Sequence, residues 1–198
     1  MNVLVILAHP TPGSFNHAIA ETVINALERL GHSGFFHDLY AEGFDPVLGS
    51  EEILTGDVDT VIAGHCEHLI AADGVVVVHP NWWGMPPAIL KGWVDRVVRP
   101  DVAYRFEEGD SGEGIPLGLL KTRTAVVLNT SNTPHSRELQ VFGDPLERLW
   151  KTCIFDLCGV KEFHRRNFTV VVTSTEEERK GWLEEVQALI ARIFPSDQ

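Results

Sequence analysis

NVLVILAHPTPGSFNHAIA, residues 2–20, sets an apolar run directly before a short turn and a new apolar rhythm. Val3 to Ala8 is β-branched and apolar enough for a strand. Thr11, Pro12, Gly13 and Ser14 break it, and Phe15, Ile19, Val23, Leu27 and Leu30 then recur at helical spacing. A strand that empties through a tight turn into an amphipathic helix is half of a βα crossover, and the rest of the chain repeats the pattern. Further β-rich runs cover Gly34 to Leu39, Gly74 to His79, Ala125 to Asn129 and Phe168 to Thr173. Helical spacing covers Asp59 to Ala72, Pro87 to Val98 and Asp144 to Cys158, and a last helix carries Trp182, Val186, Leu189, Ile190 and Ile193. Five βα units predict an α/β fold, a doubly wound parallel sheet with its strands buried on both sides and helices on both faces. No repeat or linker divides 1–198, so a single domain is expected. The long irregular stretch, Pro100 to Lys121, carries Glu107, Glu108, Asp110 and Glu113 among glycines and is read as functional or mobile.

The 198 residues are 44% apolar and 22% charged, which suits one substantial core. With 16 Lys and Arg against 28 Asp and Glu, the net charge of −12 repels nucleic-acid phosphates and anionic lipid, and no basic patch offsets it. No segment reaches about 18 apolar residues, and no basic residues precede Val3, so neither a membrane span nor a signal peptide is predicted. A cytoplasmic location is expected. Cys66, Cys153 and Cys158 form no paired framework and are read as reduced, buried thiols. His65 and His68 lie three apart on the second predicted helix, a spacing that suits a metal pair. No third ligand is visible, and the helix has an apolar face of Ile62, Cys66, Leu69 and Ile70 to bury, so no metal is expected.

Ligands of an open parallel sheet gather beyond the carboxyl ends of its strands, where the strand order reverses. Three loops leave such ends with unusual composition. In the first, Ser14 is placed to cap a helix whose opening amides, those of Phe15, Asn16 and His17, favour a phosphate, with His9, Ser14 and Asn16 side chains beside them. A capped helix start without any ligand is the plainer alternative. The second loop opens HPNWWGMPPAILKGWVDRV, residues 79–97. Adjacent Trp82 and Trp83 cannot both bury easily, so at least one is expected to be exposed, as a wall for a flat heteroaromatic ring or as an anchor for the loop or a subunit contact. The third, NTSNTPHSRE at residues 129–138, is rich in small polar residues and could close over the same ring.

The turn HPTPGSFNHA, the DLY of Asp38 to Tyr40 followed by FDPVL, and above all PAILKGW within the Trp-rich run resemble the NAD(P)H:quinone oxidoreductase family of the flavodoxin-like superfamily. The resemblance spans Asn2 to about Gly159 and is strongest to short bacterial members described as general stress proteins or as ancillary subunits of potassium efflux systems, where AYRF and FGDPLERLW also match. It implies a five-stranded sheet of order 2-1-3-4-5, a non-covalent flavin, and a homodimer with active sites at its interface. By the same resemblance His9, Ser14, Phe15, Asn16 and Ala18 correspond to phosphate-binding residues. Pro80, Asn81, Trp82, Trp83 and Gly84 correspond to the isoalloxazine loop, with Trp82 where relatives often carry Gln. Thr130, Ser131, Asn132 and Thr133 stand where better-known members have Thr-Thr-Gly-Gly, and the loss of both glycines limits positive φ. Tyr104 and Phe106 match aromatic residues that line the substrate cavity from the partner subunit, or else simply pack the dimer contact. Where mammalian-type members place a His near the pyrimidine edge, Phe142 to Asp144 offers an apolar ring; His135 is the candidate catalytic substitute, backbone N–H groups of the third loop the alternative.

The expectation is therefore an FMN-containing enzyme that takes hydride from NADPH or NADH and passes two electrons to a quinone or similar flat acceptor by a ping-pong sequence. FMN is preferred because the chain lacks the longer C-terminal extension of mammalian-type members, although FAD is not excluded. The alternatives are a flavodoxin-like electron carrier, whose phosphate loop is usually richer in Thr and Gly, and a regulatory flavoprotein subunit bound to a potassium efflux transporter.

Overall fold

The computed structural model describes residues 1–110 and 112–196. In chain order the elements are β1 (Asn2–Leu7), α1 (Phe15–Arg29), β2 (Ser33–Asp38), α2 (Ser50–Thr55), α3 (Thr60–Ala71), β3 (Gly74–Pro80) and α4 (Ala88–Val97). There follow β4 (Tyr104–Arg105), β5 (Leu117–Gly118), β6 (Thr124–Ser131), α5 (His135–Gln140) and α6 (Pro145–Glu147), which runs on as a π-helix over Arg148–Phe155. β7 (Glu162–Thr169) and α7 (Glu176–Ile193) complete the series. β2, β1, β3, β6 and β7 form one parallel sheet in that order, the 2-1-3-4-5 topology expected from the sequence, with the reversal between β1 and β3.

Alternation along each central strand divides the core into two layers. Leu4, Ile6, Val75, Val77, Ala125 and Val127 point to one face, beneath Ile62 and Leu69 of α3, Trp93 of α4 and Trp150 of the π-helix. Val3, Val5, Leu7, Val76, Val78, Val126 and Leu128 point to the other, beneath Ile19 and Val23 of α1 and Val186 and Ile190 of α7. Each such Val, Leu or Ile side chain contributes about 1.5–3 kcal/mol through removal from water. The glycine of PAILKGW, Gly92, has a packing reason: a Cβ there would stand 2.3 Å from the Pro46 carbonyl oxygen, so only glycine lets the segment after β2 lie against α4.

The structure corrects several expectations. Only β1, β3 and β6 are buried on both sides; β2 and β7 are edge strands with exposed or half-buried residues, because each has one neighbour and incomplete helix cover. The fifth strand is Glu162–Thr169 rather than Phe168 to Thr173. Main-chain pairing with β6 recruits the polar run EFHRRN, whereas Val170 turns left-handed (φ 58°) and Val171–Thr173 forms a 3-10 turn. The irregular stretch after α4 holds a small antiparallel ribbon, with Tyr104 opposite Gly118. Cys66 and Cys158 are buried but Cys153 is exposed, and Ile70 of α3 is exposed too.

Candidate active site

The reversal of strand order brings the ends of β1, β3 and β6 side by side, and hydrogen bonds tie the three loops that leave them. The Ala8 N–H donates to the Val78 carbonyl at 2.9 Å, and the Asn81 N–H donates to the Thr130 carbonyl at 2.6 Å. Asn16, only 3% exposed, donates its amide to the Thr130 hydroxyl at 3.0 Å, linking the first loop to the third across 114 residues of sequence.

Ser14 stands at the N-cap of α1 as expected, but its side chain caps no helix amide. Its Oγ lies instead 2.8 Å from His17 Nδ1, and His17 Nε2 lies 3.3 Å from Asp38 Oδ2 at the end of β2. The other Asp38 oxygen accepts the Tyr40 and Ala41 N–H groups at 3.2 and 3.1 Å. The first-turn amides of α1 thus keep no side-chain acceptor, and an anion there would complete them. Phe15 turns its ring away, against Phe168 and Trp182 at centroid distances of 6.2 and 5.7 Å, so only its backbone faces the turn. Ala18 donates its N–H to the Ser14 carbonyl and closes the first helical turn. His9 accepts the Thr11 N–H on Nδ1 at 3.1 Å, which leaves the proton of the neutral ring on Nε2. Burial lowers its pKa, with neighbouring His17 acting the same way and the Thr11 carbonyl and Asp38 opposing.

The second loop is a tight hairpin turn. Trp82 and Met85 exchange both backbone hydrogen bonds at 3.0 Å, with Trp83 (φ 58°) and Gly84 (φ 75°) left-handed at the centre. A left-handed tryptophan costs about 1–2 kcal/mol, and this one is fully exposed while Trp82 is 42% exposed, so packing does not repay it. Asn81 holds the turn from within: its Oδ1 accepts the Gly84 N–H at 2.9 Å and its Nδ2 donates to buried Glu138 Oε1 at 3.0 Å. Gly84 also lies against α6, where a Cβ would meet Pro145 Cγ at 2.7 Å. Beneath the turn, buried His79 accepts the Trp150 indole N–H on Nε2 at 3.0 Å and turns Nδ1 to the Pro80 carbonyl at 2.8 Å. Burial pushes its pKa down to about 4, so the strand end carries no charge at neutral pH.

In the third loop Thr130 and Ser131 are still strand residues, and Ser131 Oγ accepts the Thr133 N–H at 2.9 Å. Asn132 reaches the other way, accepting the Val172 N–H at 3.0 Å. His135 begins α5 and lines a polar recess of about 310 Å³ with Asp144, Glu147, Arg165, Arg166, Asn167 and Thr169, none of which belongs to the three loops. Phe142 is exposed, with the Arg137 guanidinium 5.4 Å from its ring centre. Tyr104 and Phe106 pack edge to face at 5.9 Å in a recess of about 380 Å³ with Val98, Ile154 and Cys158. That recess sits where α4 ends and the chain re-enters the sheet, the end opposite the Trp-rich turn.

His65 and His68 gain the neighbours that sequence spacing did not reveal. His37 Nδ1 lies 2.9 Å from Glu42 Oε1 and His37 Nε2 2.9 Å from His68 Nδ1, while His65 Nε2 lies 3.4 Å from Glu42 Oε2. One atom each from His37, Glu42 and His65 falls within 4.8 Å of the others. The Trp93 indole, however, donates to His65 Nδ1 at 3.1 Å, so neutral His65 turns a proton rather than a lone pair toward Glu42. Burial, then His37 and His68, lower its pKa to about 4. With His37 stacked on His65 at 3.8 Å and His68 on Phe35 at 3.9 Å, the group reads as a hydrogen-bonded wedge between β2 and α3.

Sequence reasoning placed the His17 amide, the DLY run and the loop that ends at Glu138, but missed the side-chain roles of His17, Asp38 and Glu138 and the packing of Pro145 at this site. Asp38 stood in the DLY run, and a His three residues after a cap serine was the available sign for His17.

A family model described as flavodoxin-like fold matches residues 1–190. An uncharacterized NAD(P)H oxidoreductase of Haemophilus influenzae is 33% identical over 190 residues, covering 93% of this chain and 91% of that protein. The NAD(P)H dehydrogenase [quinone] 1 of Rattus norvegicus is 30% identical over 79% of this chain and 64% of its own length. Among solved structures, Smu.1420 of Streptococcus mutans UA159 superposes with a TM-score of 0.84 at 29% identity, covering 97% of this chain and all of that one. An FMN-dependent NADH-azoreductase of Bacillus anthracis in complex with FMN shares the fold, with a TM-score of 0.76 at 16% identity over 99% of each chain. Sheet order, the site at its reversal and these matches agree, and the chain belongs to the flavodoxin-like family whose named members include NAD(P)H oxidoreductases and quinone reductases.

Proposed function

We propose that this protein is an FMN-dependent NAD(P)H oxidoreductase that delivers two electrons to a quinone or similar flat acceptor. The observation that carries the reading is the convergence, at one strand-order reversal, of uncapped helix amides, an exposed indole turn and a hydrogen-bonded third loop. This donor set fits the group: amides for a phosphate, an aromatic wall for a flat ring, and at Gly84 a backbone that no Cβ keeps from Pro145. When bound, a flavin accepts hydride and releases electrons, chemistry no side chain here supplies. The amides of Phe15, Asn16 and His17 hold the phosphate, Ser14 and His9 stand beside it, and Asn16 serves by fixing Thr130. Trp82, Trp83 and the turn amides orient the ring, while neutral His79 keeps the floor uncharged. Since His135 lines a separate recess, charge on the edge of a bound ring would be supported by backbone N–H groups of the third loop other than that of Thr133, which Ser131 Oγ already takes.

Tyr104 and Phe106 lie at the end of the sheet opposite their own chain's site. On this reading they border the ring of a second copy, in a homodimer with shared sites, or pack the contact between the two copies. A bound ring lying against the strand ends would leave one face for donor and acceptor to share, and a ping-pong alternation is expected there. No helix among the described residues is long and apolar enough to cross a membrane.

Mass spectrometry of the compound released on denaturation, after incubation with FMN and FAD together, tests the cofactor; FMN is expected at one per chain. NADPH- and NADH-driven quinone reduction should then give parallel double-reciprocal plots. A protein that takes up neither flavin would refute the reading, and intersecting lines would refute the single shared face.

A further inference from the structure

We propose that phosphate capture at the first turn is coupled to protonation of His17, through the Ser14–His17–Asp38 array. This rests on the FMN reading above. Asp38 is acceptor-only as a carboxylate, with one oxygen held by the Tyr40 and Ala41 amides and the other 3.3 Å from His17 Nε2. A carboxylate oxygen 3.3 Å from Nε2 favours the proton of neutral His17 on that nitrogen by charge alone, which leaves Nδ1 as a lone pair. Ser14, 2.8 Å away, then donates its O–H to Nδ1 and turns only lone pairs outward, which a phosphate repels.

One proton taken from solvent onto His17 Nδ1 reverses this. The new N–H donates to Ser14 Oγ, and the hydroxyl proton is released to donate to a phosphate oxygen. The site then holds a cation beside the anion, balanced by Asp38. The need is visible in the sequence: residues 9–18 contain no Lys or Arg, in a chain of net charge −12. Around His17 stand His9, with ring centres 6.1 Å apart, Asp38, and Glu21 one turn further along α1. Burial holds the pKa of His9 down.

The replacement Asp38→Asn makes the idea falsifiable. Its oxygen should stay on the two backbone amides, so its NH₂ faces His17 Nε2 and forces the proton of neutral His17 onto Nδ1. Ser14 is then a phosphate donor without any proton uptake. Titration calorimetry with FMN at pH 7.5 to 8.5, in buffers of different ionisation enthalpy, counts the protons. The wild type should take up protons with FMN but not with riboflavin, and its Kd for FMN should rise by up to about tenfold per pH unit. Asp38→Asn and His17→Gln should bind FMN with no proton uptake and a flat pH dependence. Proton-neutral FMN binding by the wild type, or unchanged uptake in Asp38→Asn, would overturn the coupling while leaving the FMN reading intact. Failure of the wild type to bind FMN would overturn both.

Discussion

Replacing His79 with Gln should flatten the acid response of this fold. His79 is fully buried beneath the Trp-rich turn, and burial lowers its pKa from 6.5 to about 4. The unfolded chain binds its proton near 6.5 while the folded chain refuses it until about pH 4. The contribution is thus complete above pH 6.5 and is lost as pH falls from 6.5 to 4. One histidine in this situation costs about 1.4 kcal/mol per pH unit, so about 2 kcal/mol is lost between pH 6.5 and 5. His65, also lowered to about 4, adds a similar amount. Urea unfolding at pH 7.5, 6.5, 5.5 and 5.0 reads the slope directly, and that window lies above the range in which carboxylates titrate. Gln at position 79 should lower stability at pH 7.5, because the Trp150 N–H loses a well-aligned acceptor, yet its pH slope should be shallower by about one proton. Equal slopes for the two proteins would show that His79 is protonated alike in both states and would refute the argument.

Three further substitutions probe the loops. Gly84→Ala places a Cβ 2.7 Å from Pro145 Cγ at φ 75°, so a loss of about 1–3 kcal/mol in urea unfolding, together with weaker FMN retention, is expected. Thr130→Val leaves the buried Asn16 amide without its acceptor and should cost about 1–3 kcal/mol; a double-mutant cycle with Asn16→Ala should show coupling, whereas additive effects would argue against the link. Trp83→Ala should change stability by no more than about 0.5 kcal/mol, or raise it, because the indole is fully exposed, while both half-reactions of the proposed activity slow in stopped-flow measurements.

The sequence by itself determined the architecture, because periodicity is a local property. The runs Val3 to Ala8, Gly74 to His79 and Ala125 to Asn129 sit in strands buried on both faces, whose side chains are apolar up to the polar strand ends at His79 and Asn129, and Ile19, Val23 and Leu27 mark a helix face at fixed spacing. It also marked the three loops, since Ser14, the paired tryptophans and the polar run after Leu128 are compositional oddities at strand ends. Edge-strand extent was not legible: β7 is held by main-chain pairing to β6, which tolerates His164, Arg165 and Arg166, while the more apolar Val170 to Val172 turns away. Only the tertiary structure decided which partners the polar side chains take. Asn16 belongs to Thr130, Ser14 to His17 and Asp38, Asn81 to Glu138, and His65 to Trp93 and Glu42. Those contacts join elements up to 114 residues apart, and a hydrogen bond depends on distance and angle in space, to which the order of residues along the chain is blind.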